Sequence, residues 1–303
     1  SEIRAEIARG GMGRVLAGRE QKLDREIAMK LLLTSNQEAA ARFVNESKIT
    51  AKLPHPGIPP VYALGELSSG LPYLAMKLVQ GENLDELLRR RQSTSDELIK
   101  WIAIFEQICQ AVGDAHSQSV LHRDIKPANV MVGSFGEVHV MDWGLAKDLT
   151  TGVATASEPA NLDADPDATQ AVEHNLEHQG TRVGTVMGTP SYMPPEQAQG
   201  RVVDARADVF ALGGVLCKIL TGRSPYSGKT SHEVLRLAMS GRMDETLSSL
   251  EQCNADPELI RLTKRCLAKE PECRPADACE LAEMIRGYRA SVDERLRQAE
   301  SER

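Results

Sequence analysis

The sequence runs to 303 residues, of which 41% are hydrophobic and 26% charged, enough to bury one large core or two lobes around a cleft. Its net charge of -7 comes from Asp148 to Gly180, where seven acids meet no Lys or Arg; elsewhere 36 bases face 36 acids, which argues against a nucleic-acid surface. No apolar run nears the roughly 18 residues of a membrane span, no charged-then-apolar leader opens the chain, and the six cysteines include no C-x-x-C pair, so a soluble, cytosolic segment with small buried thiols is expected.

The stretch IARGGMGRV at 7 to 15 is a glycine-rich turn between two strands. Gly10, Gly11 and Gly13 let the backbone approach a ligand and offer it N–H groups, as phosphate oxygens require; an ordinary hairpin can also hold three glycines. IAMKLLL at 27 to 33 has strand length. Ala28 and Lys30 share one side of it, leaving room for a flat ring beside an ammonium group. Gln37 to Leu53 is helical in composition and carries Glu46, a candidate partner for Lys30; Pro54, Pro56, Pro59 and Pro60 end it. LPYLAMKLV at 71 to 79 predicts another strand.

Past Gly81 the pattern turns helical. Asp96 to His116 repeats apolar residues at three-and-four spacing, Asp208 to Leu220 is apolar enough for a central helix, and Asp256-Pro257-Glu258 is a helix start. Residues 149 to 180 are acidic, without period, and predict a disordered loop. Residues 288 to 303 place Val292, Leu296 and Ala299 on one stripe of a charged helix, either solvated or the start of a coiled coil leading to a further domain or membrane anchor. GRSPYSGKT at 222 to 230 approaches a phosphate-binding loop, but five residues separate its glycines where four are required.

The chemistry concentrates in HRDIKPANVMV at 122 to 132 and VHVMDWGLAK at 138 to 147. Asn129 and Asp142 stand 13 residues apart across a hairpin's length of chain and could supply oxygens to one hard cation such as Mg2+. Asp124 could then accept a hydroxyl proton while Lys126 neutralises charge on a transferring group. A solvated turn leading into a strand is the plainer alternative.

The glycine-rich turn, A-M-K, a helix glutamate, H-R-D-I-K-P-A-N and D-W-G follow the order of the protein kinase signature. With GTPSYMPPE at 188 to 196, DVFALG at 208 to 213 and Arg274 in ECRP, residues 5 to 286 resemble a eukaryotic-type serine/threonine protein kinase catalytic domain, most like bacterial members. The resemblance implies an α+β, two-lobed fold. A small antiparallel-sheet lobe with one helix (1 to 80) would bind ATP, a mainly helical lobe (81 to 286) would carry the catalytic and activation segments, and 287 to 303 would be a charged helix or linker. It implies ATP and Mg2+, protein substrates phosphorylated on Ser or Thr, no nucleic acid, no membrane contact from this segment, and room for a homodimer.

By the same resemblance Asp124 orients the substrate hydroxyl, Lys126 sits near the γ-phosphate, and Asn129 and Asp142 ligate Mg2+. Lys30 binds the α- and β-phosphates, held by Glu46. Ile7, Val15, Ala28 and Met131 sandwich the adenine, with Met76 behind it and Lys77 to Val79 as the hinge. Glu196 and Arg274 form a buried ion pair, and Asp208 braces the catalytic loop. Arg123 would receive a phosphothreonine, with Thr181 or Thr185 the leading sites and Thr150, Thr151, Thr155 and Thr169 behind them. Three departures stand out. Ala8 replaces a usual glycine at a cost of about 1 kcal/mol if its φ must be positive, Trp143 replaces a Phe, and Lys77 replaces an acid at the hinge. The first two leave a nucleotide-binding scaffold as the rival reading.

Overall fold

The structure, a computed structural model, describes residues 2–9, 13–34, 36–149 and 188–302. Gly10, Gly11, the threonines at 150, 151, 155, 169, 181 and 185, and the acidic stretch from 150 onward lie outside the described residues.

The first lobe is a five-stranded antiparallel sheet in the order β1-β2-β3-β5-β4, with β1 Glu2–Arg9, β2 Gly13–Glu20, β3 Arg25–Leu32, β4 Val61–Glu66 and β5 Pro72–Lys77. Its register divides the side chains. Leu16, Ile27, Met29, Leu31 and Ala75 fall on one face and pack together as a small core. Val15 opposite Lys30, and Ala17, Ala28 and Met76 in line, fall on the other. That second face is lined with small or slender side chains, so it cannot close on itself.

Helix α1 (Gln37–Ala51) starts where Asn36 Oδ1 accepts the Glu38 N–H at 2.9 Å and stops three residues before Pro54. It packs Phe43 against Leu32 and Leu74 of the sheet, which carries Glu46 to the open face.

In the second lobe, β6 (Glu82–Asn83) leads into α2 (Leu84–Arg90) and α3 (Leu98–Ser117). Helix α3 begins two residues later than the periodicity predicts, because Asp96 accepts the Ser93 N–H at 2.8 Å and Glu97 turns left-handed with φ 50°. Short strands follow: β7 (Val120–Leu121), β8 (Val130–Val132), β9 (Val138–Val140) and β10 (Lys147–Asp148). They pair as β6-β8-β9 and β10-β7 and clamp the intervening loops.

The remaining helices are α4 (Pro195–Ala198), α5 (Ala205–Thr221), α6 (Ser231–Ser240), α7 (Asp244–Gln252), α8 (Pro257–Cys266) and α9 (Ala278–Ser301). Helix α5 is the predicted central helix, buried from Ala207 to Cys217 without a break. Helix α8 takes the predicted cap, Asp256 Oδ1 accepting the Glu258 N–H at 2.9 Å. Helix α9 runs unbroken across position 287, so the residues beyond it continue the last helix of the lobe rather than forming a linker. Glu106 on α3, only 6% exposed, pairs with Arg286 and Arg289 of α9. No helix among the described residues is long and apolar enough to cross a membrane.

All six cysteines are free; Cys109, Cys217 and Cys266 are buried as expected, whereas Cys273 and Cys279 are exposed. Burial pushes the Cys266 thiol up to about 12, so it packs as a protonated, small hydrophobe.

Candidate active site

Between the lobes lies a cavity of 810 Å³. Ile7, Gly13, Val15, Ala28, Lys30, Glu46, Met76, Val79 and Met131 all line it, with Asp142 at its inner end. Its walls are mostly apolar and slender where the sheet's open face forms the roof, and Met131 of β8 forms part of the floor. Such a slot suits a flat heterocycle with a charged tail extending toward Lys30 and Asp142.

At that inner end the charge pairing differs from expectation. Lys30 Nζ lies 3.0 Å from Asp142 Oδ1, and Glu46 makes no ion pair among the described residues. The Glu46 carboxyl sits in a partly buried pocket, and burial pushes it up to about 7 even though the Lys30 charge works the other way. Asp142 also pays a burial cost to ionise, but the Lys30 ammonium outweighs it and holds the carboxyl below its ordinary value. Gly144 leaves space for all three groups, since a Cβ there would stand 3.0 Å from Asp142 Oδ1 and 3.3 Å from Lys30 Nζ.

Asp124 lines an adjoining pocket that shares Lys30, Asp142 and Gly144 with this cavity, and it is held from three sides. Oδ1 accepts the Thr189 N–H at 2.9 Å, while Oδ2 accepts from Lys126 Nζ at 2.7 Å and Asn129 Nδ2 at 3.2 Å. Lys126 also reaches Thr189 Oγ1 at 2.5 Å. Asn129 Nδ2 donates a second bond to the Asp124 carbonyl at 2.8 Å, so the amide's carbonyl oxygen is turned away from Asp124. The Asn129 backbone carbonyl accepts the Met141 N–H at 2.7 Å, which ties it next to Asp142.

The loop bearing Asp124 is built on a left-handed residue. Arg123 has φ 69° and Asp142 has φ 57°, conformations that side chains rarely adopt without help. Asp208, 1% exposed, supplies that help at Arg123: it accepts the His122 N–H at 2.7 Å and the Arg123 N–H at 2.8 Å.

His116 Nε2 donates to the same carboxylate at 2.9 Å, because its Nδ1 is already accepting the Ala278 N–H at 3.2 Å. Burial opposes Asp208 ionising, and these hydrogen bonds with the nearby histidines hold it below its ordinary value. The sequence reading places Asp208 at this brace but gives no sign of His116, which ends an apolar helix face like any capping polar residue.

Arg123 itself is different. Its Nε is buried without a hydrogen-bond partner among the described residues, and burial pulls the guanidinium below its ordinary value, only partly offset by Asp208.

The departures are resolved by geometry. Ala8 lies in β1 opposite Val15 and is not among the residues with positive φ, so the conditional backbone cost does not arise. Trp143 is 3% exposed, packs its ring 4.6 Å from that of His122, and donates Nε1–H to the Val140 carbonyl at 3.0 Å. Glu196 and Arg274 pair through two contacts, 2.6 and 3.0 Å, and Arg274 places its other donors on the carbonyls of Ala268, Arg206 and Lys269.

Among the described residues no group of three or more His, Cys, Asp or Glu side chains is arranged to hold a metal. The donors on offer are one ionised carboxylate, Asp142, and one amide oxygen, Asn129. That set suits a hard cation that keeps most of its other ligands from water and substrate phosphates, as Mg2+ does.

Residues 1–285 match the protein kinase domain family. The chain is 30% identical over 303 residues to the serine/threonine-protein kinase PknD of Protochlamydia amoebophila, covering 95% of this chain and 30% of that one. It is 31% identical to the serine/threonine-protein kinase pkn3 of Myxococcus xanthus, covering 99% and 51%, and 34% identical to the serine/threonine-protein kinase PknB of Mycolicibacterium smegmatis, covering 91% and 41%. The chain therefore spans between 30% and 51% of the length of these relatives.

Proposed function

The chain belongs to the protein kinase domain family, and on that premise we propose that it transfers the γ-phosphoryl group of ATP to Ser or Thr hydroxyls of protein substrates, with Mg2+. The observation that supports this most directly is Asp124, whose carboxylate is fixed by Thr189, Lys126 and Asn129 and lines a pocket together with Lys30 and Asp142, two residues that also line the slot. The adenine would lie between the sheet's open face and Met131, with the Lys77 to Val79 backbone along its edge.

Lys30 would bind the α- and β-phosphates. Asp124 would accept the proton of the acceptor hydroxyl, and Lys126, within reach of both Asp124 and Thr189, would offset charge on the moving phosphoryl group. Mg2+, when held by Asn129 and Asp142, supplies charge neutralisation at the phosphate oxygens. Radiolabel transfer from ATP to a generic protein substrate tests the reading, with wild type compared against Asp124→Asn and Lys30→Met. Transfer should fall about 100-fold or more in each variant; full activity in both would mean the site is elsewhere, and nucleotide binding without transfer in wild type would favour a scaffold.

The buried Arg123 Nε, which has no hydrogen-bond partner among the described residues, supports a regulatory reading. An anion placed there would satisfy a desolvated cation, and a phosphothreonine formed by autophosphorylation at Thr181 or Thr185 is the form we favour. Mass spectrometry after incubation with ATP should find phosphate within residues 145 to 189; its absence from that segment would refute the idea.

A further inference from the structure

A second cavity, of 360 Å³, opens beside the catalytic loop and shares Lys126 and Thr189 with it. Asp85, Ser191, Tyr192 and Lys218 complete its working wall. A segment presenting a hydroxyl to Asp124 would pass along this wall, so its charges bear on which segments are accepted.

Asp85 is the one acid of that wall among the described residues, and both its oxygens are already taken. Lys218 Nζ on α5 lies 3.0 Å from Oδ1, and Arg89 donates Nη2 and Nε to Oδ2 at 2.9 and 3.0 Å. The Asp85 and Lys218 side chains are 24% and 17% exposed, so the pair is mostly withdrawn from water, and Arg91 at the end of α2 ties the two elements together by donating to the Lys218 and Ile219 carbonyls of α5. One carboxylate thus faces two cations, and Lys126 adds a third nearby whose own partner is Asp124. Among the described residues, a Lys or Arg arriving on the acceptor segment would find no free carboxylate and would meet like charge, and an Asp or Glu would meet an excess of positive charge.

We propose that Lys218 sets the specificity of this groove, so that it favours acceptor segments with an acidic residue near the phosphorylated Ser or Thr and discriminates against basic ones. Lys218 is a positioning residue for the substrate, distant from the reacting atoms. The inference rests on the kinase reading above.

The test uses pairs of peptides that differ only by Asp or Arg at each of the four positions on either side of one acceptor serine. Wild type should show a higher kcat/KM for the Asp member at one or more positions, by roughly fivefold, the scale of a partly solvated charge interaction. Lys218→Met should level the preference, Lys218→Glu should invert it, and Lys218→Arg should keep it, with circular dichroism confirming that each variant is folded. A wild type that prefers Arg, or treats the pairs alike, overturns the proposal, as does a preference that survives Lys218→Glu.

Binding of the same peptides, fluorescently tagged and read by anisotropy, separates the two levels. Acidic peptides bound more tightly but never phosphorylated would remove the transferase reading and leave the groove's selectivity standing. Phosphorylation with no acidic preference in either readout would do the reverse.

Discussion

Lys30 and Asp142 form the ion pair at the inner end of the cleft, 3.0 Å apart, and the Glu46 carboxyl stands beside them with no ion pair among the described residues. A carboxyl in that position is protonated more readily than in the unfolded chain, 4.5 rising to about 7 through burial. The folded protein therefore holds a proton that the unfolded chain releases between those values, and this contribution to stability falls as pH rises through the window, by about 3 kcal/mol in full. Glu46→Gln has no such proton to lose. Urea unfolding at pH 5 and pH 7.5 should show the variant gaining on wild type at the higher pH, and an equal difference at both would contradict it.

Asp208 accepts two backbone N–H groups and one histidine N–H with its two oxygens. In Asp208→Asn one of those oxygens becomes an NH2 group that faces a donor. The loss should be about 2 to 4 kcal/mol, and hydrogen exchange should report it locally as faster exchange of the His122 and Arg123 amides. Protection of both amides equal to wild type would count against the brace.

The Glu196 and Arg274 pair is buried, with the Arg274 side chain fully enclosed. Removing one partner leaves an unpaired charge in the lobe, so Glu196→Gln and Arg274→Leu should each cost about 3 to 5 kcal/mol, and the double variant less than the sum. Chemical denaturation of wild type and the three variants gives the cycle, and strict additivity would show that the pair does not act as a unit.

Trp143→Phe keeps the aromatic bulk but loses the bond from Nε1 to the Val140 carbonyl. Stability should drop by about 1 kcal/mol while the affinity for ATP stays within twofold. Trp143 lines the cleft, so a large drop in ATP affinity would mean that the indole itself, beyond its aromatic bulk, shapes that wall.

Much of this was legible in the chain. The three-and-four spacing of Ile102, Phe105, Ile108 and Cys109 reports the buried face of α3 because a 3.6-residue period has one inward side, and all four are buried. Ala28 and Lys30 on one side of β3 follow from the two-residue period of a strand, and both line the cleft.

What the chain did not disclose is partner choice. Lys30 is within reach of two acids that lie far apart in sequence, and which one it takes depends on how α1 seats against the sheet. Asp85 and Lys218 likewise sit on separate helices, and neither has a local pattern that marks it. The left-handed turns at Arg123 and Asp142 are equally invisible, and that at Arg123 is held by hydrogen bonds arriving from Asp208, 85 positions away.

The polar relay from the Ala278 amide through His116 to Asp208 spans 162 positions in its first step alone. It makes the opening turn of the last helix a supporter of the loop that carries Asp124. A chain cut short of Ala278 would forfeit more than apolar packing: it would free the imidazole ring to reorient and so loosen the clasp on Arg123. A fragment that keeps the whole of this relay beneath the Asp124 loop must therefore include the amide hydrogen of Ala278.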